Sequence, residues 1–391
     1  MITRTILPVL EKELTTKEVV VLTGMRQTGK TTVLKYLFGR ISSANKAFID
    51  LENPLNRKIF EEKDYDNIWR NLLPFGITQK KGAYLFLDEI QHVKQLPSAV
   101  KYLYDNWRVK CFLTGSSSFY LKNLFSESLS SRKIVYELFP LTFAEFLLFK
   151  GETFEFPNTF TQKAQRKNEI AYQRLIRLYD EYMRYGGFPA VVLEKDQGRK
   201  QKLLEQVFTS YFEIDVKTLA DVRETTKLRD LILLLVARIG AKVDVSKLSS
   251  ELGVTRETIY NYLTFLERTY MITLLPQYSQ SPDRQAAGAK KVFFSDSGLA
   301  SYLGRLSDGQ LLEQSVFQTL RTLNTLSYYQ RKKQETDFIV NSDVALEVKR
   351  TASTRDISKL KRLATALHME KSYVVTYTYS KRPETIPVIY L

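Results

Sequence analysis

Near the start of the chain, two glycines, a lysine and a threonine stand at a fixed spacing, Gly-x-x-x-x-Gly-Lys-Thr over residues 24–31. Glycines at these positions let the backbone curl so that successive N–H groups converge on a phosphate. The lysine of such a loop reaches the β- and γ-phosphates, and the threonine hydroxyl binds Mg²⁺. The pattern therefore predicts a P-loop that binds ATP with magnesium. The expected nucleotide-binding residues are Gly24, Met25, Arg26, Gln27, Thr28, Gly29, Lys30, Thr31 and Thr32.

An apolar run that ends in two acidic residues follows this loop. Residues 83–87 read Ala-Tyr-Leu-Phe-Leu and lead into Asp88 and Glu89. We expect Asp88 to hold Mg²⁺ through water, and Glu89 to orient and polarise the attacking water. An Asp-Glu pair alone is an ordinary acidic turn, but its position downstream of a P-loop favours a Walker B motif.

Other polar residues near this edge are candidates for sensing the nucleotide. Thr114 and Ser116 follow the next apolar run, and the carboxyl ends of parallel strands face the ligand in such sheets. Either residue could hydrogen-bond the γ-phosphate, or the segment is simply a turn of small polar residues. Arg132 is a candidate catalytic arginine finger, in cis or in trans, or else a surface arginine. Arg26, although within the loop, is expected to face solvent or an adjacent helix.

A second set of charged residues lies near the carboxyl end. The pattern predicts that Asp337 opens a strand and that a second strand carries Glu347 and Lys349. Since side chains alternate along a strand, Glu347 and Lys349 lie on one face. This is the layout of a PD-(D/E)xK nuclease. Asp337 and Glu347 would bind Mg²⁺, helped by Glu313, and Lys349 would activate the attacking water. The alternative is an exposed hairpin whose Glu347–Lys349 ion pair adds little stability.

Residues 243–268 predict a helix, a glycine turn and a second helix, with Thr255 as the N-cap of the second. Strands are expected at 271–275 and 291–294, which completes a winged helix-turn-helix with Lys290 and Lys291 near the wing. If this module reads DNA, one helix face enters the groove. That face comprises Arg256, Tyr260, Asn261 and Thr264. A winged helix used for packing or protein contact is the alternative.

The elements that position these residues indicate an α/β protein. Short apolar runs alternate with helical segments through the first third, which predicts a parallel sheet with helices on both faces. The runs are 19–23, 47–51, 84–87, 110–114 and 134–138. Four segments are expected: a P-loop ATPase domain at 1–150, a linker and helical region with a Tyr-Gly-Gly-Phe-Pro turn at 151–240, a winged helix at 241–304 and a restriction-endonuclease-like α/β domain at 305–391.

Composition narrows the class of protein. The 391 residues carry a formal net charge of +15, which suggests a polyanionic partner, most often nucleic acid. The other interpretation is a solvated basic surface. The single cysteine, Cys111, excludes an internal disulfide and fits a reducing cytoplasm. No apolar run is long enough to span a bilayer, and residues 1–4 lack the apolar core of a signal peptide.

These motifs resemble a known family. Gly-Met-Arg-Gln-Thr-Gly-Lys-Thr-Thr, Leu-Asp-Glu-Ile-Gln, Leu-Thr-Gly-Ser-Ser-Ser and Tyr-Glu-Leu-Phe-Pro-Leu-Thr-Phe-Ala-Glu-Phe from residue 136 are similar to prokaryotic AAA-type ATPases of the STAND-related group. Tyr-Gly-Gly-Phe-Pro at 185–189 and Phe-Ser-Asp-Ser-Gly-Leu at 294–299 resemble later signatures of that family. The resemblance implies ATP binding, slow hydrolysis and a C-terminal domain with a restriction-endonuclease-like fold.

Two functions from different classes follow. The first is an ATP-regulated, Mg²⁺-dependent DNA nuclease or DNA-processing factor. The alternative is a STAND-like switch, in which ATP controls association with DNA or a protein partner without cleavage. Homo-oligomers are compatible with both, and an arginine finger in trans would require one.

Overall fold

Five parallel strands form the sheet that carries the P-loop, in the order β2-β3-β4-β1-β5. The computed structural model describes residues 3–79, 82–116, 132–217, 225–281, 283, 285, 288–322, 324–332 and 334–391. The strands are β1 (Val19–Thr23), β2 (Lys46–Asp50), β3 (Tyr84–Asp88), β4 (Lys110–Gly115) and β5 (Lys133–Glu137). They agree with the predicted apolar runs to within about a residue, so the α/β architecture with a parallel sheet is confirmed.

Both faces of this sheet are covered, which explains why β1, an interior strand, is buried throughout. Val19 and Val21 belong to one hydrophobic cluster, whereas Val20 and Leu22 belong to another. Alternate side chains of β1 therefore pack against opposite layers, as expected for a parallel strand with helices on either side. Helices preceding or joining these strands are α1 (Leu7–Lys12), α2 (Lys30–Arg40), α3 (Pro54–Arg57), α4 (Asp66–Leu72) and α5 (Leu96–Trp107).

By its internal contacts the chain divides into two units that are discontinuous in sequence. Unit 1 contains the parallel sheet and draws on Met1–Phe139, Ser210–Ala220 and Arg268–Tyr270. Unit 2 draws on Pro140–Thr209, Asp221–Glu267 and Met271–Leu391. A short π-helical segment, Tyr211–Val216, therefore belongs to unit 1, although the helices on either side of it in the chain belong largely to unit 2. The four-segment division of the sequence stays a prediction.

Unit 2 begins with helices and ends with a mixed sheet. Its helices are α6 (Phe143–Phe149), α7 (Phe160–Gln165), α8 (Glu169–Tyr185), α9 (Pro189–Leu193), α10 (Gln197–Ser210), α11 (Thr225–Val236), α12 (Val245–Leu252), α13 (Arg256–Arg268), α14 (Ser297–Leu303), α15 (Asp308–Leu320) and α16 (Thr354–Ala366). A two-stranded antiparallel sheet consists of β6 (Ile272–Leu275) and β7 (Lys291–Phe294).

The second five-stranded sheet has the order β12-β11-β10-β9-β8. Its strands are β8 (Leu326–Arg331), β9 (Gln334–Val340), β10 (Val344–Lys349), β11 (Lys371–Thr376) and β12 (Thr385–Pro387). β8, β9 and β10 are antiparallel neighbours, whereas β10, β11 and β12 run parallel. Asp337 lies in the middle of β9 rather than opening a strand, which corrects the expected boundary.

Two of the glycine-containing signatures meet inside unit 2. Gly186 has φ +74°, and a β-carbon there would lie 1.9 Å from Asp296 Oδ1. The Asp296 carboxylate is fully buried and accepts hydrogen bonds from the amides of Gly187 (2.7 Å) and Leu299 (2.9 Å). The turn after α8 is therefore fastened to the N-terminus of α14. We call this contact the Gly186–Asp296 joint.

No helix in the described ranges is both long and apolar enough to cross a bilayer.

Candidate functional site

The P-loop connects the carboxyl end of β1 to the start of α2. Gly24 has φ +147°, and a β-carbon at this position would lie 2.2 Å from the carbonyl oxygen of Leu138. Gly29 has φ +97° and directly precedes α2. Both glycines are thus required by backbone conformation, and Gly24 also by the close approach of a second chain segment. The expected strand, loop and helix are present.

Lys30 is folded back over this loop. Its side chain is buried, and Nζ donates to the carbonyl oxygens of Gly24 and Met25, both at 2.9 Å. Burial lowers the pKa of Lys30, while the nearby carboxylates of Glu89 and Asp215 oppose that change. An ammonium group held at the mouth of a loop of backbone amides is suited to binding phosphate oxygens.

Asp88 ends β3 beside the P-loop threonine. It is buried and hydrogen-bonded to the hydroxyls of Thr114 and Thr31. Burial raises the pKa of Asp88, and these two hydroxyls counteract the increase. The structure therefore brings the two predicted Mg²⁺ ligands of this site, Thr31 and Asp88, into direct contact.

Glu89 is held in place by its neighbours. Its backbone has φ 54° and ψ 52°, in the left-handed region. Its amide donates to Thr114 Oγ1 (3.2 Å), and Gln91 Nε2 donates to its carboxylate. The same Gln91 amide reaches Ser116 Oγ at 3.1 Å. Thr114 and Ser116 thus lie in the hydrogen-bond network around the Walker B acids, where a sensor was expected.

A cavity of about 280 Å³ opens at this edge of the sheet. Its lining includes Arg26, Gln27, Thr31, Asp50, Glu52, Asp88, Glu89, Ser210 and Ile214. The four carboxylates make one side acidic, whereas the loop amides and Lys30 favour an anion. Among the described residues, no three His, Cys, Asp or Glu side chains are placed to hold a metal ion by themselves. Mg²⁺ is commonly bound by one or two carboxylates together with substrate phosphates, so this donor set fits a magnesium–nucleotide complex.

Sequence reasoning missed several residues of this cavity. Asp50 ends β2 and Glu52 lies two residues beyond it, so the rule that ligands bind beyond the carboxyl ends of parallel strands could have identified them. No comparable sequence pattern pointed to Asp215. It is buried beside the P-loop, and its Oδ1 accepts from Arg26 Nε at 3.1 Å and from Ser116 Oγ at 3.1 Å. Arg26 therefore faces a neighbouring carboxylate.

Arg132 is not part of the cavity. It directly precedes β5, and its carbonyl accepts from the amide of Val19 at the start of β1. This is the amino-terminal edge of the parallel sheet, opposite the P-loop. Its guanidinium pairs with Asp105, Nε to Oδ1 at 2.8 Å. The predicted role of Arg132 as an arginine finger in cis is therefore wrong, and its role in trans stays a prediction. Ser117 and Ser118, which complete the predicted serine run, lie outside the described residues.

The carboxylates predicted near the C-terminus share one face of the second sheet. Leu346 pairs with Phe338, so the register places Glu347 opposite Asp337. Asp337 Oδ2 accepts from the amide of Val348 at 2.7 Å, and Lys349 Nζ lies 2.8 Å from Glu347 Oε1. Burial raises the pKa of Asp337 and of Glu347, and Asp337 raises that of Glu347 further. Asp337, Glu347 and Lys349 are brought together as predicted.

Glu313 reaches this cluster from α15, but a lysine accompanies it. Lys291 is buried, and its Nζ lies 3.1 Å from Glu335 Oε1 and 3.8 Å from Glu313 Oε1. Lys291, predicted to lie near the wing with Lys290, is the first residue of β7 and is buried. Within the described structure, Glu313, Asp337 and Glu347 are not placed to hold a metal ion as a group of three carboxylates.

Helix α13 presents the four side chains proposed to face DNA. Its buried side contains Ile259, Leu263 and Leu266. The exposed side carries Arg256, Tyr260, Asn261 and Thr264. Thr255 Oγ1 accepts from the amide of Thr258 at 3.1 Å, which is the expected N-cap contact.

Three family models match parts of the chain. Residues 16–147 match an AAA domain, residues 176–310 match a domain of unknown function (DUF8612), and residues 308–390 match a second domain of unknown function (DUF4143). Together with the P-loop geometry, the first match identifies an AAA-type P-loop domain at the amino-terminal end.

Relatives resemble the chain over most of its length. An uncharacterized protein of Methanocaldococcus jannaschii is 28% identical, covering 95% of this chain and 84% of the relative. An uncharacterized protein of Haemophilus influenzae is 27% identical, covering 95% and 92% respectively.

Solved structures match more loosely. The Thermotoga maritima RuvB Holliday junction branch migration motor has a TM-score of 0.34 at 18% identity, covering 69% of this chain and 86% of that one. The Aeropyrum pernix ORC2 protein in its ADP form has a TM-score of 0.38 at 13% identity, covering 75% and 90%. TM-scores this low do not establish a shared overall fold.

Proposed function

We propose that this protein binds and hydrolyses ATP with Mg²⁺ at the cavity beside β1 and β3. The observation that carries this proposal is the convergence of Lys30, Thr31 and Asp88 at one edge of the parallel sheet, with Glu89 lining the same cavity. Loop amides and Lys30 would bind the phosphates. Thr31 and Asp88 would hold magnesium, which would neutralise phosphate charge. Glu89 would orient and polarise the attacking water.

Replacement of Lys30 tests this function directly. Lys30→Ala should abolish ATP binding and turnover, because it removes the cation that neutralises the β- and γ-phosphates. Lys35→Ala is a matched control, since Lys35 is exposed on the same helix α2. Binding measured with a fluorescent ATP analogue, and phosphate release, should be lost in the first variant and kept in the second. Unchanged turnover in Lys30→Ala would exclude this site.

We also propose that the ATPase acts on DNA. The net charge of +15 and the exposed Arg256, Tyr260, Asn261 and Thr264 on one helix face support DNA as the partner. Positive charge supplies attraction to phosphates, and a helix with an exposed polar face can enter a major groove.

A second candidate activity is DNA cleavage at the C-terminal cluster. The placement of Glu347 opposite Asp337, with Lys349 beside it, favours this activity. Asp337 and Glu347 would be the metal ligands, whereas Glu313 lies near the ammonium of Lys291. The alternative is a STAND-like switch that controls association with DNA or a protein without cutting.

A cleavage assay separates the nuclease from the switch. Linear, single-stranded and branched DNA would be incubated with Mg²⁺, with and without ATP, using the full chain and Lys349→Ala. Lys359→Ala is the control, since Lys359 is exposed on the neighbouring helix α16. Cutting that is lost only in Lys349→Ala supports the nuclease. Intact DNA in every sample would favour the switch.

A further inference from the structure

An acidic side chain is buried beside the nucleotide cavity, close to where an anion is expected to bind. Asp215 belongs to the π-helical segment Tyr211–Val216, and its side chain is only 3% exposed. Two neighbours of this residue in the chain, Ser210 and Ile214, line the same cavity. We call residues 210–217 the acidic segment. It belongs to unit 1 with the P-loop.

Each of the cationic or donor groups around Asp215 could also serve the γ-phosphate of ATP. Arg26 lies within the P-loop itself, and Ser116 follows β4 at the carboxyl edge of the sheet. Both donate to the same oxygen, Asp215 Oδ1, at 3.1 Å. Lys30 is close enough to Asp215 for the two charges to attract each other appreciably. The carboxylate thus makes the contacts that a phosphate oxygen would make.

Burial of this ion pair indicates that the contact is built into the fold. The side chain of Arg26 is 10% exposed and that of Asp215 is 3% exposed. Withdrawing two charges from water is costly, and only close pairing and further hydrogen bonds offset that cost. Ser116 provides such a bond. A second anion placed nearby would repel Asp215 and compete for the same donors.

We propose that Asp215 competes with the γ-phosphate for Arg26 and Ser116, and so determines how strongly the site prefers ADP to ATP. This inference rests on the proposed ATP site. ADP lacks the competing group and leaves the acidic segment in place. ATP must displace Asp215. In the chain, α10 precedes the acidic segment and α11 follows it. Nearly all residues of both helices belong to unit 2. Displacement of the acidic segment would therefore transmit the presence of the γ-phosphate along the chain.

Binding of two nucleotides by three proteins tests this competition. The proteins are the full chain, Asp215→Asn and Glu213→Gln, and the ligands are ADP and the non-hydrolysable analogue AMP-PNP, each with Mg²⁺. Asparagine keeps the shape and a hydrogen-bond acceptor but removes the charge. Glu213 lies in the same segment, is exposed and pairs with Lys217, so its variant controls for a general loss of negative charge.

Asp215→Asn should tighten AMP-PNP binding about 5- to 20-fold and change ADP binding less than about 2-fold, an effect of one removed charge. Glu213→Gln should leave both constants unchanged. Equal changes for ADP and AMP-PNP, or weaker AMP-PNP binding, would overturn the competition. If the unmodified chain bound neither ADP nor AMP-PNP, the proposed ATP site on which the inference rests would be rejected instead.

Hydrogen exchange on the unmodified chain gives a second test that does not depend on how Asp215→Asn folds. Saturating AMP-PNP should speed exchange of the amides of residues 211–217 at least about 5-fold relative to saturating ADP, because the released segment loses its anchoring contacts. Identical exchange in the two complexes would contradict displacement.

Discussion

At the residue scale, Glu89 shows how the cavity fixes a side chain in advance. Its left-handed backbone costs on the order of 1 kcal/mol for a residue with a β-carbon. Contacts with Thr114 and Gln91 hold it there. Such a conformation, at the end of a strand facing a ligand cavity, places the carboxylate without further rearrangement. A positioned base is the requirement for activating water.

We predict that Glu89→Gln separates ATP binding from hydrolysis. The amide keeps the size of the side chain but cannot polarise water, so turnover should fall about 100-fold or more while the Kd for ATP changes less than about 3-fold. Glu52→Gln, at the same cavity, should retain turnover within about 3-fold. The measurements are steady-state phosphate release and equilibrium nucleotide binding. Near-normal hydrolysis in Glu89→Gln would exclude Glu89 as the catalytic base.

A buried lysine should give unit 1 a pH-dependent stability. Lys110 donates to Thr16 Oγ1 (2.9 Å) and to the carbonyl of Glu18, and burial lowers its pKa to about 8. Between pH 8 and 10.5, a larger fraction of Lys110 is protonated in the unfolded chain than in the folded chain. The free energy of unfolding should therefore rise with pH in that interval, by up to about 3 kcal/mol.

Lys110→Met should reduce this rise by the contribution of Lys110, and Lys17→Met, at an exposed position, should leave it unchanged. Urea unfolding from pH 7.5 to 10 would measure the slope for each protein. Equal slopes in all three proteins would contradict the assignment to Lys110.

Sequence reasoning succeeded where the residues of a site are contiguous and failed where the fold brings distant residues together. The P-loop pattern occupies eight consecutive positions, 24–31, so its chemistry was predictable. The contact between Arg26 and Asp215 spans 189 positions and leaves no local pattern. The burial of Lys291 was not predictable from the sequence for a related reason. This residue belongs to a basic doublet typical of a surface, yet β7 turns it inward to Glu313 and Glu335.

At the element scale, the Gly186–Asp296 joint fastens the end of α8 to the start of α14. We predict that Asp296→Ala lowers the free energy of unfolding by about 2–4 kcal/mol, because it leaves two buried amides without their acceptor and removes an N-cap. Asp308→Ala should cost less than about 1 kcal/mol, since its pair with Arg350 is exposed. Chemical denaturation compares the two. A small effect of Asp296→Ala would show that the joint contributes little.

Strands were predictable from apolar runs, but their polar ends were not. β1, β3 and β4 consist almost entirely of buried residues, so pattern and structure agree closely there. β9 begins at Gln334, three residues before Asp337, within a polar stretch typical of a loop. Those residues are strand because they pair with β8, Gln330 with Glu335 and Arg331 with Gln334. Backbone pairing with a neighbouring strand sets this boundary, and the sequence of one segment alone does not reveal such pairing.

At the scale of the whole molecule, the excess of positive charge has a measurable consequence. We predict that binding to double-stranded DNA weakens steeply between 50 and 200 mM salt, since each phosphate contact contributes a slope of about −0.9 in log K against log salt. Arg256→Ala should reduce that slope by about one contact. Arg199→Ala, an exposed arginine on α10, should not. Fluorescence anisotropy would measure both. A slope near zero would argue against phosphate contacts.

The discontinuous make-up of unit 1 has a consequence during protein synthesis. The ribosome completes Met1–Phe139, with the P-loop and the parallel sheet, before it adds the acidic segment. At translation speeds of about 5–20 residues per second, that interval is on the order of ten seconds. Arg26 and Ser116 emerge without Asp215 and can meet nucleotide first. Until Asp215 is added, nucleotide can therefore bind to Arg26 and Ser116 without a competing carboxylate.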